Sequence, residues 1–145
     1  MKKPTLTKVK KKAWKQFSLF IRLRDSLKTM RNNRQCKCIS CGTIKNTRTR
    51  PCIQAGHFIA GRHNAILFSE EMVNGQCYHC NMGLKGNWVP YEEAMVEMYG
   101  QERVAELKRL SKVGVGQKRI KYTIQDYLDI EAKYKKKVID LGGFE

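Results

Sequence analysis

Two pairs of cysteines, each with the spacing C-x-x-C, constrain the folding of this chain more than any other sequence feature. Cys38 and Cys41 form the first pair, and Cys77 and Cys80 form the second. A two-residue spacer lets two thiolates from one tight turn occupy two corners of a tetrahedron around Zn²⁺. The four cysteines are therefore predicted to bind one structural zinc ion.

The two remaining cysteines have different interpretations. Cys36 lies just before the first pair and could replace Cys38 as a ligand. Cys52 is predicted to be a small buried apolar side chain. Nothing at the basic N-terminus resembles a signal peptide, so the protein is expected in the cytoplasm, which is the host cytoplasm if a phage encodes it. Disulfides are not expected there, because the cytoplasm is reducing.

Positive charge is concentrated in the first half of the chain. The 145 residues include 29 Lys and Arg and 13 Asp and Glu, which gives a net charge of +16. Residues 1–69 hold 17 basic residues and one acid, Asp25, whereas residues 70–145 hold 12 of each. This excess favours a polyanionic partner such as DNA, RNA or an anionic membrane surface. A solvated lysine-rich face is the simpler alternative.

A basic helix is predicted over residues 5–31. Its apolar stripe is more typical of a core-facing helix than of a membrane-surface helix, and no segment is long enough to span a membrane. The stripe consists of Trp14, Phe17, Phe20, Ile21 and Leu27. The candidate contacts to a DNA backbone are Lys8, Lys11, Lys12 and Lys15.

The distance between the cysteine pairs indicates that further structure is built between them. Between Cys41 and Cys77 lie 35 residues, whereas zinc ribbons and fingers separate their pairs by about 12 to 20. The interval has room for a pair of strands and a long loop. It contains the segment QAGHFI with His57, and Asn81 follows the second pair directly.

These segments resemble HNH endonucleases of the ββα-metal fold, and more specifically the NinG/Rap family of phage recombination nucleases. The resemblance covers roughly residues 36–100 and depends on AGHF, GRHNAILF, and QCxxCN with a downstream GN. It implies a zinc-stabilised, metal-dependent endonuclease that hydrolyses phosphodiesters in branched DNA intermediates such as Holliday junctions.

The resemblance also implies roles for individual residues. His57 matches the general base that activates water, a task that suits an imidazole because its pKa lies near neutrality. A structural histidine or a zinc ligand is the alternative. Asn81 matches the position that binds catalytic Mg²⁺ or Mn²⁺, although asparagine is equally suited to capping a helix. The middle asparagine of the HNH pattern is replaced by Met72, so Asn74 is the nearest polar brace for the base.

A second departure from the family pattern concerns the acid that commonly precedes the base, where this chain has Gly56. The missing metal ligand could be Gln54, His63, Glu70 or Glu71. Arg62 and His63 follow the base on a loop expected to face the scissile phosphate. Arg62 could stabilise transition-state charge or simply contact the DNA backbone. His79, inside the second cysteine pair, is predicted to be exposed.

The resulting fold prediction is α+β and mostly helical. A basic N-terminal helix (1–35) leads into a small zinc-bound HNH core (36–89), and a helical region follows (90–145). In that region, helices are predicted from Pro90 to Gly100, with Glu92 and Glu93 near its start, and over 101–110. After a basic loop (112–121), a Thr123/Asp126 capping box precedes a helix over 124–141. The apolar face of that last helix packs on the body or forms a homodimer contact; its members are Tyr127, Ile130, Tyr134, Val138 and Leu141.

Two other functions stay open at this stage. The chain could be a non-catalytic zinc-knot DNA-binding protein, which Gly56 and Met72 favour. It could also be an HNH nicking nuclease without preference for DNA structure. Cleavage of matched linear, nicked, forked and four-way DNA distinguishes all three.

Overall fold

The computed structural model describes residues 2–59, 64–112 and 121–144. The basic loop predicted at 112–121 lies almost entirely outside these ranges. The elements are α1 (Leu6–Met30), β1 (Gln35–Lys37), β2 (Ile44–Asn46), β3 (Gln54–His57), α2 (Asn64–Leu67), β4 (Val73–Gln76), a π-helical turn (His79–Gly83), α3 (Trp88–Tyr99), α4 (Gln101–Ser111) and α5 (Ile124–Asp140). The predicted α+β, mostly helical class is confirmed.

The first helix forms as its sequence predicts. The Thr5 side chain accepts a hydrogen bond from the Lys8 backbone N–H and caps the N-terminus. The chain leaves the helix at Arg31, whose left-handed φ of 56° ends the helical hydrogen bonds. The apolar stripe is core rather than membrane surface, because Phe17 and Ile21 are completely buried. None of the described helices is long and apolar enough to cross a membrane.

Two short antiparallel hairpins occupy the middle of the chain. In the first, β1 pairs with β2, with Cys36 opposite Lys45. In the second, β3 pairs with β4, with Gly56 opposite Asn74 and His57 opposite Val73. The β3–β4 hairpin and the π turn that follows it contain the residues singled out by the family resemblance.

The β3–β4 hairpin lies between two helical layers. On one face, Ala55 and Val73 pack against Phe17 of α1 and Tyr134 of α5. On the other, the Tyr91 hydroxyl of α3 donates a 2.7 Å hydrogen bond to the Gly56 carbonyl. Alternate residues of a strand point to opposite faces, so each face of this small sheet is covered by one layer.

The last helix packs within the chain. Its capping box forms as predicted, with the Thr123 side chain and the Asp126 carboxylate bonding reciprocally to the backbone. Tyr134 stacks edge-on against Phe17, with ring centroids 4.8 Å apart. Leu141 is 39% exposed and lies beyond the buried face. Part of the apolar face of α5 therefore packs on α1 within the chain.

Helix α3 begins two residues earlier than predicted, at Trp88. Asn87 adopts a left-handed φ of 40° and its Nδ2 donates to the Cys80 Sγ at 3.4 Å, so the chain turns directly from the cysteine pair into the helix. Glu92 and Glu93 consequently lie beyond the first turn rather than at the positive end of the helix dipole.

Candidate active site and metal centre

Four cysteine sulfurs converge where the turn between β1 and β2 meets the segment that follows β4. The Sγ atoms of Cys38, Cys41, Cys77 and Cys80 all lie within 4.8 Å of one another, and those of Cys41 and Cys77 are 3.7 Å apart. Zn–S bonds of about 2.3 Å place the sulfurs of a tetrahedral site about 3.8 Å apart. The group can therefore hold a metal such as zinc, with the ligands that the sequence predicts.

The surroundings favour the thiolate at Cys41, whereas burial raises the pKa values of the Cys77 and Cys80 thiols. The Cys41 and Cys80 backbone N–H groups point at the Sγ atoms of Cys38 and Cys77, each at 3.5 Å. Burial opposes the ionisation of Cys41, but hydrogen bonds with Thr43 outweigh it and lower the pKa of this thiol to about 6. Thiolates are the form that binds zinc.

The other two cysteines lie outside the four-sulfur group. Cys36 is fully buried, and burial raises its pKa to about 12, which keeps it a neutral thiol. The group includes Cys38, so Cys36 does not replace it. The prediction that Cys52 is buried is wrong, because its side chain is only half-buried. Cys52 follows the exposed Pro51 and forms a β-bridge with Asn46 at the edge of the sheet, so one side of it faces solvent.

His57 ends β3 and opens into a cleft of about 560 Å³. Its ring stacks on Trp14 of α1, with centroids 5.4 Å apart and planes at 15°. Its Nε2 lies 3.2 Å from the Leu67 carbonyl. A carbonyl can only accept, so Nε2 carries a proton in this contact. The group of described residues that could hold a metal consists of four cysteines, and His57 is not a member of it.

Asn81 lines the same cleft from the π turn. The turn begins after Tyr78, so Asn81 lies inside it and does not cap a helix. Its Nδ2 donates to the Gln54 Oε1 at 2.8 Å, which leaves Oδ1 as the oxygen that Asn81 can offer a cation. Gln54, one of the four candidate ligands, is therefore beside Asn81 on the strand that carries His57.

Asn74 occupies a different environment from the one predicted. It is 3% exposed, its Nδ2 contacts the Tyr91 hydroxyl at 3.1 Å, and its Oδ1 accepts from Arg24 at 3.1 Å. It stands opposite Gly56 in the register, on the sheet face away from His57. Asn74 therefore links α1, β4 and α3. It does not lie beside His57 as the predicted brace for the base.

Gly56 lacks a side chain for a steric reason. An added Cβ would lie 2.1 Å from the Oε1 of Gln76 and 2.9 Å from its Cβ. Gln76 is fully buried and held by hydrogen bonds from its Nε2 to Ser40 at 2.9 Å and to the Gly86 carbonyl at 2.6 Å. Its Oε1 has no hydrogen-bond partner among the described residues. The place where HNH enzymes have an acid is thus filled by a neutral carboxamide.

The two candidate acids near β4 are engaged elsewhere. Glu70 pairs with Lys137 at 2.8 Å and accepts from the Tyr134 hydroxyl, and Glu71 forms an ion pair with Arg103. Burial opposes the charge of Glu70, but the contacts with Lys137 and Tyr134 lower its pKa. Both acids tie the hairpin to helices of the second half. Arg62 and His63 lie outside the described residues.

Two cations and several apolar side chains complete the cleft. Among the described residues that line it, the charged ones are Lys85 and Lys108, and Lys108 also pairs with Glu92. Trp14, Met82 and Trp88 form much of the wall. The sequence did not identify these two lysines and three apolar residues as part of the site. Tertiary packing brings them together, and no local residue spacing indicates that they share a cleft. His79 is exposed, as predicted.

Comparison with known proteins places the whole chain beside one group. A family model described as "NinG: Bacteriophage Lambda NinG protein" matches residues 2–143. The chain is 32% identical over 132 residues to "Protein ninG" of Escherichia phage 933W, covering 90% of this chain and 57% of that protein. Identity is also 32% to the Escherichia phage lambda protein, with 90% and 56% covered. The chain thus spans little more than half the length of these relatives. No solved structure matches it.

Proposed function

The chain belongs to the NinG family of bacteriophage proteins, and we propose that it is a metal-dependent endonuclease that hydrolyses phosphodiesters in branched DNA. The observation that carries this proposal is the shared cleft, which the His57 imidazole and the Asn81 carboxamide both line, with Lys85 and Lys108 as the charged side chains among its described lining residues. A base, an oxygen ligand and lysines are the groups that phosphodiester hydrolysis requires.

In the proposed reaction, His57 is the general base. The His57 imidazole takes the proton from water as the water oxygen attacks phosphorus. The bond from phosphorus to the leaving oxygen breaks, and solvent protonates that oxygen. Trp14 holds the imidazole plane by stacking, which limits its rotation. Lys85 and Lys108 attract the phosphate into the cleft.

Asn81 is the residue that would hold the catalytic ion. Mg²⁺ and Mn²⁺ prefer oxygen ligands, and the Asn81 amide supplies one. When bound, the ion stabilises negative charge that develops on the phosphate oxygens. The neutral donors Asn81 and Gln54 give weak binding alone, so we expect the ion to enter with the DNA phosphate. The sulfur site is structural in this proposal.

The Gln76 carboxamide at the acid position favours a second candidate, a zinc-dependent DNA-binding protein without catalysis. The two functions differ in one measurement. Zinc-loaded protein is incubated with linear, nicked, forked and four-way DNA of matched sequence, with Mg²⁺, with Mn²⁺ and without either. Ion-dependent cleavage that favours the branched substrates is expected. Binding without cleavage of any substrate would support the second candidate.

The His57→Ala variant tests the base. We expect cleavage to fall roughly 10²- to 10⁴-fold, the usual contribution of a general base, while DNA affinity stays within a few-fold of wild type. His79→Ala is the matched control, because His79 is exposed and does not line the cleft. A His57→Ala protein that cuts as fast as wild type would contradict the proposed mechanism.

A further inference from the structure

The segment directly after Asn81 exposes an unusual amount of apolar surface. Within eight residues, four large side chains are about half exposed or more: Met82 58%, Leu84 47%, Trp88 59% and Val89 51%. We call Met82 and Trp88 the cleft lip, because these two also line the cleft that holds His57 and Asn81. Large side chains left uncovered at a basic site need a physical reason.

The backbone beneath the cleft lip is firmly held. The Gly86 N–H donates to the Cys80 carbonyl at 2.9 Å, and the Leu84 N–H to the His79 carbonyl at 2.7 Å. The Gly86 carbonyl accepts from buried Gln76 at 2.6 Å. Lys85 and Asn87 adopt φ values of 52° and 40°, conformations that non-glycine residues keep only when their surroundings hold them. The exposed indole therefore stands on a braced turn.

The chemistry of the cleft lip matches an unpaired nucleotide. Every base has a flat face that stacks on an aromatic ring, and its phosphate needs a nearby cation. Trp88 supplies the ring and Lys85 supplies a cation, and Lys108, which pairs with Glu92, lines the same cleft. Inside a duplex the base faces are covered by their neighbours, so Trp88 cannot stack there. At a branch point or gap, unpaired bases are available.

We propose that Trp88, with Met82 beside it, stacks on an unpaired base of branched DNA and so places the neighbouring phosphodiester near His57. This inference rests on the proposed function and adds the source of its substrate preference. Charge complementarity favours DNA over the other occupants of an apolar lip, because the charged side chains among the described residues that line the cleft are the lysines Lys85 and Lys108.

The test compares DNA binding without Mg²⁺ or Mn²⁺, so that its outcome does not depend on cleavage. Zinc-loaded wild type, Trp88→Ala and Trp88→Phe are titrated with an intact duplex and with the same duplex carrying a short single-stranded gap. Trp88→Ala should lose roughly 5- to 100-fold in affinity for gapped DNA, the range of one base–aromatic stack. Its affinity for intact duplex should stay within two-fold, and Trp88→Phe should recover most of the loss.

A direct readout of stacking accompanies the titration. Wild type should quench the fluorescence of 2-aminopurine placed in the gap, and Trp88→Ala should not. Ile139→Ala is the control and should quench like wild type, because it removes an apolar side chain on α5 that is 67% exposed. Equal losses on both DNAs, no loss on either, or binding of anionic vesicles that competes with gapped DNA would overturn the proposal. Failure of His57→Ala to reduce cleavage would instead overturn the proposed function.

Discussion

At the scale of single residues, the missing side chain of Gly56 determines how closely the hairpin can pack. The carboxamide of Gln76 occupies the space where a Cβ would lie and fixes the Gly86 carbonyl under the cleft lip. One glycine thus couples the strand that carries His57 to the turn that carries Trp88. An acid at this position would need a different residue at position 76.

Gly56→Ala should therefore destabilise the protein by about 1–3 kcal/mol, the usual cost of overpacking a tight interior. Gly83→Ala is the control, because its nearest neighbour is the flexible, exposed ring of His79 at 3.2 Å. Chemical denaturation of the zinc-loaded variants measures both. A Gly56→Ala protein as stable as Gly83→Ala would show that Gln76 moves aside at little cost.

Residue spacing predicted the ligands of the four-sulfur group, because each C-x-x-C pair is local. It did not predict the surroundings of His57 or Asn74. The Trp14 ring reaches His57 only because α1 packs across the hairpin. Asn74 is held by Arg24 and Tyr91, which are distant in sequence and contact it only in the folded chain.

At the scale of elements, the four cysteines join the ends of the two hairpins. Cys38 and Cys41 follow β1, and Cys77 and Cys80 follow β4. The Ile39 N–H also donates to the Gly75 carbonyl at 2.9 Å. A metal bound here closes the chain segment that contains β2, β3 and α2. Closing so long a segment restricts the unfolded chain, as a crosslink does.

Cys77→Ser should bind less than one zinc per chain and unfold at a markedly lower temperature, because three ligands hold zinc more weakly than four and metal binding contributes to folding. Elemental analysis and thermal denaturation measure the two effects. Cys52→Ser, which changes a half-buried cysteine outside the group, should keep one zinc and near-wild-type stability. Freshly purified wild type without zinc would contradict the structural role of the metal.

The helices could be predicted from the sequence more accurately than the strands. Helix α1 has a cap at Thr5 and a long apolar stripe, and α5 has the Thr123/Asp126 box, so each carries several independent signals. The strands have only three or four residues, too few for an alternating pattern to stand out. Their pairing is fixed by contacts with α1 and α3, which local sequence does not encode.

At the scale of the whole molecule, the basic first half divides into structural and exposed charge. Arg24 bonds to Asp25 at 2.8 Å and to the Val73 carbonyl at 3.0 Å, and Arg22 bonds to the Thr47 carbonyl at 2.7 Å. These guanidinium groups hold α1 on the hairpins and are not free for phosphate. The α1 lysines are exposed: Lys8, Lys10, Lys11, Lys12 and Lys15.

We propose that Lys8, Lys11, Lys12 and Lys15 contact the DNA backbone beside the cleft, since Lys11 lies one turn before Trp14. Changing these four to Gln should reduce the slope of log Kobs against log [salt] by about 3.6 units, since each phosphate contact contributes about 0.9. Substitution is preferable to deletion, because Val9 and Ala13 of the same segment are buried. The control is a triple variant with Gln at Lys133, Lys135 and Lys136. If the α1 variant has the same salt slope as wild type, the α1 lysines do not contact phosphates and are only solvated.

The pairing of α1 with α5 has a consequence for synthesis of the protein on the ribosome. Phe17 is made long before Tyr134, its partner in the core. At about 5–20 residues per second, roughly 6–23 s separate the two. During that time the apolar stripe of α1 lacks its main cover, while lysines stand along the same helix. Charges beside an uncovered apolar segment oppose self-association of nascent chains. We therefore expect the lysines of α1 to limit self-association of the growing polypeptide until α5 emerges.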